Sequence, residues 1–126
     1  MHPVPTGLLQ LYRSDHQFLR EGARRDHPPR NAKVLSLLAN QLLHPEQPGG
    51  YLVRSGRLRV SQLLDDGREI TRAVLHGGSA FAVLDGQSGD ADPVLDIYPL
   101  ERLILMALSE TGIWLLPPDT LTTGRR

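Results

Sequence analysis

The side chains in this sequence that could do chemistry are its histidines, a run of aspartates, its serines and a set of arginines near the N-terminus. His2, His16, His27, His44 and His76 invite a metal site, but no two stand as His-x-His and none are spaced as ligands of one ion, so turn and surface positions are expected for them. Asp85, Asp90, Asp92 and Asp96 could attract a divalent cation; they lack the regular spacing of a calcium loop, and a solvated loop over 85–93 is the expectation. Ser14, Ser36, Ser55, Ser61, Ser79, Ser88 and Ser109 include no nucleophile elbow and no recognisable order of serine, histidine and acid. Gly77-Gly78-Ser79 has neither the lysine nor the length of a phosphate-cradling loop and reads as a plain turn.

The absence of cysteine excludes disulfides, thiolate metal sites and cysteine nucleophiles. Fourteen basic residues balance fourteen acidic ones, so overall charge favours neither nucleic acid nor an anionic membrane. Arg13, Arg20, Arg24, Arg25 and Arg30 are interleaved with Asp15, Glu21 and Asp26, the pattern of a solvated face rather than a phosphate-binding one. Trp114, Tyr12, Tyr51, Tyr98, Phe18 and Phe81 are few even for one core and are assigned to it rather than to base stacking.

These residues must be positioned by a single domain, since 126 residues support one hydrophobic core. The N-terminus lacks a secretory h-region, and no apolar run approaches the ~20 residues of a membrane span, so a cytoplasmic chain is expected. Leu8, Leu11, Tyr12 and Leu19 share one side at helical spacing and predict an amphipathic helix over 7–21, with a linker near 24–31 imposed by Pro28-Pro29. Val34 to Leu43 suits a short helix or a strand. Beyond it, closely spaced Gly and Pro breaks call for strands of about four to eight residues.

Asp66-Gly67 predicts a hairpin between 57–64 and 69–75, with Leu58 and Val60 inside and Arg57, Arg59 and Ser61 outside. The returning strand places Ile70 and Val74 on one face and Ala73 and Leu75 on the other, which calls for a bulge or burial on both faces. Leu103 to Leu116, interrupted at 109–112, reads as a second hairpin, and Asp119-Thr120-Leu121 could open a final helical turn.

In order along the chain, His44 to Val60 resembles the Glu-turn and "Y-x-V-x-x-G-x-V-x-V" stretch of the Crp/Fnr transcription regulators, and Asp66-Gly67-Arg68-Glu69 resembles their "D-G-R-E" hairpin. Leu75-His76-Gly77-Gly78 is similar to their "L-x-P-G" turn, Phe81 to the phenylalanine opening their phosphate cassette, and Ala107-Leu108 with Ile113 and Leu116-Pro117 to their closing hairpin. The resemblance covers about 32–121 and implies an all-β, eight-stranded jelly roll (double-stranded β-helix) with an N-terminal helix. It divides the chain into helix and linker (1–31), cyclic-nucleotide-binding-like domain (32–121) and tail (122–126).

The same resemblance implies ligand positions at Phe81, Ala82, Val83, Leu84 and Arg102. The family holds its nucleotide with "F-G-E-[LI]" and "R-[ST]-A"; here Ala82 replaces the close-approach glycine and the ribose-binding glutamate is missing. Placing Ala107 on the family's alanine puts Glu101 at the phosphate arginine's position and Arg102 one residue later, on the opposite face of a strand unless a bulge intervenes. The pocket is therefore degenerate, and no cofactor is expected, cyclic nucleotide included.

The resemblance implies a non-enzymatic regulatory module related to transcription control, acting through ligand or protein binding; the alternative is a small cupin-like jelly-roll enzyme, which would need metal ligands. A protein partner or homodimer is expected, with the stripe at Leu8, Leu11, Tyr12 and Leu19 packing in cis or on a second copy. No membrane contact and only weak, unselective DNA binding are expected. Full-length members continue into a dimerisation helix and a helix-turn-helix. The sequence ends at Arg126 where that helix would start, which fits both a domain of a longer regulator and a stand-alone module.

Overall fold

The computed structural model describes residues 7–13, 26–45, 47–84 and 94–116. They form β1 (Leu8–Tyr12), β2 (Lys33–Leu37), β3 (Leu42–Leu43), β4 (Gly49–Ser55), β5 (Arg57–Leu63), β6 (Glu69–His76), β7 (Ala80–Leu84), β8 (Val94–Pro99), the 3-10 turn η1 (Leu100–Arg102), β9 (Leu103–Ala107) and β10 (Thr111–Leu116). Every strand pair is antiparallel. One sheet runs β2-β10-β4-β7-β1-β8 and the other β3-β9-β5-β6. This is the all-β, jelly-roll-like architecture expected, with ten strands among the described residues rather than eight.

The β5–β6 hairpin forms as the sequence predicts. Gly67 takes φ 88° at its turn, a left-handed conformation that glycine adopts without a Cβ penalty. Leu58 and Val60 point into the sandwich and are fully buried. Between Val60↔Ala73 and Ser61↔Thr71 the register slips by one residue, so Arg72 is the extra residue of a β-bulge. That slip corrects one expectation: Ile70 shares the inner face with Ala73 and Leu75, opposite Val74, because the bulge reverses the alternation between them. Ser61 faces outward with Arg57 and Arg59, yet it is buried at 1% exposure.

The second expected hairpin is not one. β9 pairs with β3 and β5 in the smaller sheet, while β10 pairs with β2 and β4 in the larger. The short 108–110 link thus carries the chain from one sheet to the other. Thr111, 1% exposed, pins this crossing: its hydroxyl accepts from the Arg57 amide at 3.2 Å and lies within donating reach of the Ser109 and Arg57 carbonyls, at 2.7 and 3.0 Å. The 34–43 stretch resolves as two strands, β2 and β3.

The helix expected over 7–21 is not seen. Leu8–Tyr12 form a strand between β7 and β8, and the remainder of that expectation lies outside the described residues. In extended form Leu8-Leu9-Gln10-Leu11-Tyr12 turns Leu9 and Leu11 to one face and Leu8, Gln10 and Tyr12 to the other, and all but Leu8 are buried in the larger sheet. Leu9 and Leu11 join Tyr51, Val53, Leu58, Val60, Leu75, Phe81, Val83, Leu105, Ile113 and Leu115 in the core between the sheets. Tyr12, Leu52, Ala80, Ala82 and Trp114 form a second buried cluster on the other face of the larger sheet.

Two glycines test the turn argument. Gly56 takes φ 82° between β4 and β5, and a Cβ there would collide with the Glu110 carbonyl; Gly67, at φ 88°, has open space around it. Gly67→Ala is expected to cost about 1–2 kcal/mol from backbone strain alone, and Gly56→Ala clearly more than that, above ~2 kcal/mol. Urea unfolding of the two variants measures the difference; equal losses would refute the close approach at Gly56.

Candidate functional site

β7 carries four of the five residues singled out from the sequence, and a strand sends them to two different places. Phe81 and Val83 point into the core, while Ala82 and Leu84 lie on the opposite face of the sheet with Leu52, Tyr12 and Trp114. Phe81, fully buried, stacks on its cross-strand partner Tyr51 with ring centroids 4.8 Å apart and planes inclined by 6°. The Tyr51 hydroxyl donates to the Gln47 carbonyl at 2.9 Å. The phenylalanine of the cassette is thereby a core residue, held by dispersion and burial.

The fifth residue, Arg102, belongs to η1, not to a strand, so the face alternation expected for it and Glu101 does not apply. η1 sits at the end of the larger sheet where β1 pairs with both Leu84 and Pro99, and the Leu100 amide donates to the Gly7 carbonyl at 2.8 Å. From there the Arg102 guanidinium crosses to Asp65 on the β5–β6 turn, at 2.6 Å. Both groups are largely solvated, 45% and 88% exposed, so this pair is worth at most about 1 kcal/mol. Glu101 is exposed.

Together these residues do not make the donor set that an anion requires. No backbone glycine approaches at position 82, and the arginine already faces an aspartate. Among the described residues no three His, Cys, Asp or Glu side chains come together as metal ligands. His27, His44 and His76 are all exposed. The 85–93 loop and the turn at 119–121 lie outside the described residues.

A polar cluster that the sequence did not single out joins the two sheets at their open edges. Arg72, the bulge residue of β6, donates from Nε to Gln62 Oε1 at 2.7 Å and lies 5.6 Å from the centre of the Tyr98 ring on β8. Burial pushes the Tyr98 hydroxyl above its ordinary value of 10.0, the Asp96 charge adds to the rise, and the Arg72 charge opposes it. The sequence signal for this cluster is the bulge itself, which turns Arg72 out of the normal alternation.

No family model and no curated protein matches the chain. Its fold is shared with solved structures of CooA and CprK. The heme domain of CooA from Carboxydothermus hydrogenoformans superposes with a TM-score of 0.53 at 18% identity, over 89% of this chain and 73% of that one. The CO-dependent transcription factor CooA from the same organism, in its imidazole-bound form, gives 0.51 at 18% identity, over 86% of this chain and 41% of that one. Oxidized CprK in complex with o-chlorophenolacetic acid gives 0.52 at 13% identity, over 74% and 36%. The chain thus spans under half the length of these two regulators.

Two outcomes check the site. Phe81→Ala is expected to destabilise the domain by about 3–5 kcal/mol in urea unfolding, the cost of emptying a packed aromatic position; a loss below ~1 kcal/mol would mark Phe81 as a ligand contact rather than core. The raised Tyr98 hydroxyl means the folded state holds its proton more tightly than the unfolded chain. Its stabilising contribution is complete below the unfolded value of 10.0 and declines as pH rises through the folded value. Unfolding midpoints followed upward from about pH 9 should therefore fall more steeply in the wild type than in Tyr98→Phe; parallel curves would refute it.

Proposed function

We propose that the chain is a non-enzymatic regulatory module related to Crp/Fnr-type transcription regulators, one that keeps the sensor fold without its cyclic-nucleotide chemistry. The observation that carries this reading is the use made of the ligand positions: Phe81 is stacked into the core on Tyr51, and Arg102 is paired with Asp65. A module so arranged acts by contact with a protein partner or a second copy of itself. A small-molecule effector other than a cyclic nucleotide is the remaining mode of action. Likeness in fold to CooA and CprK supports the regulatory part of the reading, since those proteins are respectively a CO-dependent transcription factor and a protein that takes an organic acid.

The balance of fourteen basic and fourteen acidic residues supports only weak and unselective DNA binding by this chain alone. No helix among the described residues is long and apolar enough to cross a membrane, and we place the protein in the cytoplasm. Nothing among the described residues favours the cupin-like enzyme, which needs a ligand cluster.

Titration calorimetry with cyclic AMP tests the proposal. No saturable heat is expected up to about 1 mM. A micromolar site that disappears in Arg102→Ala would overturn it, because the guanidinium would then have left Asp65 for the phosphate.

A further inference from the structure

The two sheets use their outward faces differently. On the larger sheet that face is buried through Tyr12, Leu52, Ala80, Ala82 and Trp114. On the smaller sheet it is only partly covered: among the described residues its apolar members remain in part exposed, while Ser61 between them is buried. Strand register sets Leu42, Met106, Arg59 and Val74 in one row across β3, β9, β5 and β6. The next row holds Ile104, Ser61 and Thr71, and Leu63 stands opposite Glu69. Leu42, Leu63 and Val74 are 44%, 42% and 44% exposed, and Met106 and Ile104 between them are half-buried. Single exposed leucines mean little; three around half-buried neighbours on one sheet face make a patch that is continuous across four strands.

The middle of the patch is polar and incompletely satisfied. Arg59 Nε and Ser61 Oγ, two residues apart on β5 and facing the same way, are both buried and without a hydrogen-bond partner among the described residues. The Arg59 guanidinium has a loose ion pair with Glu69 at 3.6 Å, which engages NH2 and leaves Nε unused. Arg57 and His76 pair across the strands on the same face, so among the described residues the arginines outnumber its single carboxylate, Glu69. The guanidinium is itself partly exposed and only loosely paired, and a carboxylate brought to it would complement the excess positive charge.

We propose that this outward face of β3-β9-β5-β6 is a docking surface for an acidic amphipathic segment of a protein partner. A carboxylate of the segment takes the partly exposed end of the Arg59 guanidinium, and apolar side chains on either side cover Leu42, Met106, Val74 and Leu63. The apolar rows select against a nucleic acid, whose phosphates would leave them wet, and two arginines are too few to hold an anionic lipid surface. The inference rests on the reading that the domain acts through a protein contact, and names where and with what chemistry.

The test is selection of random peptides displayed on phage against the whole chain, followed by affinity measurement on Arg59→Gln, Val74→Asp and, as a control on the hairpin tip, Arg68→Gln. Thermal melts by circular dichroism establish that each variant folds; Val74 is already solvated, so Val74→Asp keeps the test available if Arg59→Gln does not fold. Enriched peptides should carry Asp or Glu beside Leu, Ile, Phe or Met, and should bind Arg59→Gln and Val74→Asp at least about tenfold more weakly while binding Arg68→Gln unchanged. Peptides without acidic bias, or undiminished affinity for both folded variants, would overturn the location and leave the protein-contact reading standing. No enrichment, with light scattering giving a monomer, would overturn both. A dimer that Val74→Asp dissociates would overturn the acidic partner in favour of a second copy.

Discussion

The stacked pair of Tyr51 and Phe81 is the interaction on which the arrangement of this domain depends. The two rings are direct cross-strand partners of β4 and β7, near the middle of the six-stranded sheet, and both are buried. An offset stack of two aromatic rings contributes about 0.5–1.5 kcal/mol beyond the area it buries. More important, it fixes the register of β7. Once Phe81 is inward, period-two alternation forces Val83 inward and Ala80, Ala82 and Leu84 outward. Residues 80–84 thus form a regular strand, whose geometry cannot bring consecutive side chains to one ligand.

That register leaves the larger sheet apolar on both faces. β1 fits between β7 and β8 with Leu9 and Leu11 inward and Tyr12 outward beside the buried Gln10. The smaller sheet has no such second cluster among the described residues. Its outward residues are Arg57, Arg59, Ser61 and Leu63 on β5 and Val74 and His76 on β6, and its apolar members remain partly in solvent. The difference between the outward faces of the two sheets is a property of residue types at alternating positions, not of the connections between strands.

The part of the fold that is legible in the sequence and the part that is not divide along the same physical line. Turn chemistry is local, so Asp66-Gly67 places the β5–β6 hairpin, and alternation places Leu58 and Val60 inside it. The broken alternation of 69–75 signals a bulge, but which residue it displaces, Arg72, depends on the partner strand. The segment 8–12 reads as helix and folds as strand because five mostly apolar residues in a row satisfy a helical stripe and a two-sided strand equally well, and only neighbours decide. The 103–116 stretch reads as a hairpin because a short turn between two apolar runs looks the same whether the strands pair or part into opposite sheets. Of the candidate site, the missing glutamate and glycine are visible as residue types, whereas the coupling of Arg102 to Asp65 is a contact across 37 positions of sequence that no local pattern encodes.

Arg102 shows how a surface cation is placed by elements that the fold does not depend on. A phosphate needs donors that converge from several elements, and each donor must be held where no competing acceptor is nearer. Here η1 ends the edge strand β8, so the residue that follows Glu101 leaves the sheet in a 3-10 turn and not in a strand. The nearest anion it meets is Asp65, two positions before the glycine that the hairpin requires. Neither the jelly roll nor its core depends on that pair, because both partners are largely solvated. The framework is carried by interior residues such as Leu9, Tyr51, Leu58, Phe81 and Ile113, and function in such a fold is a matter of which surface residues it is given.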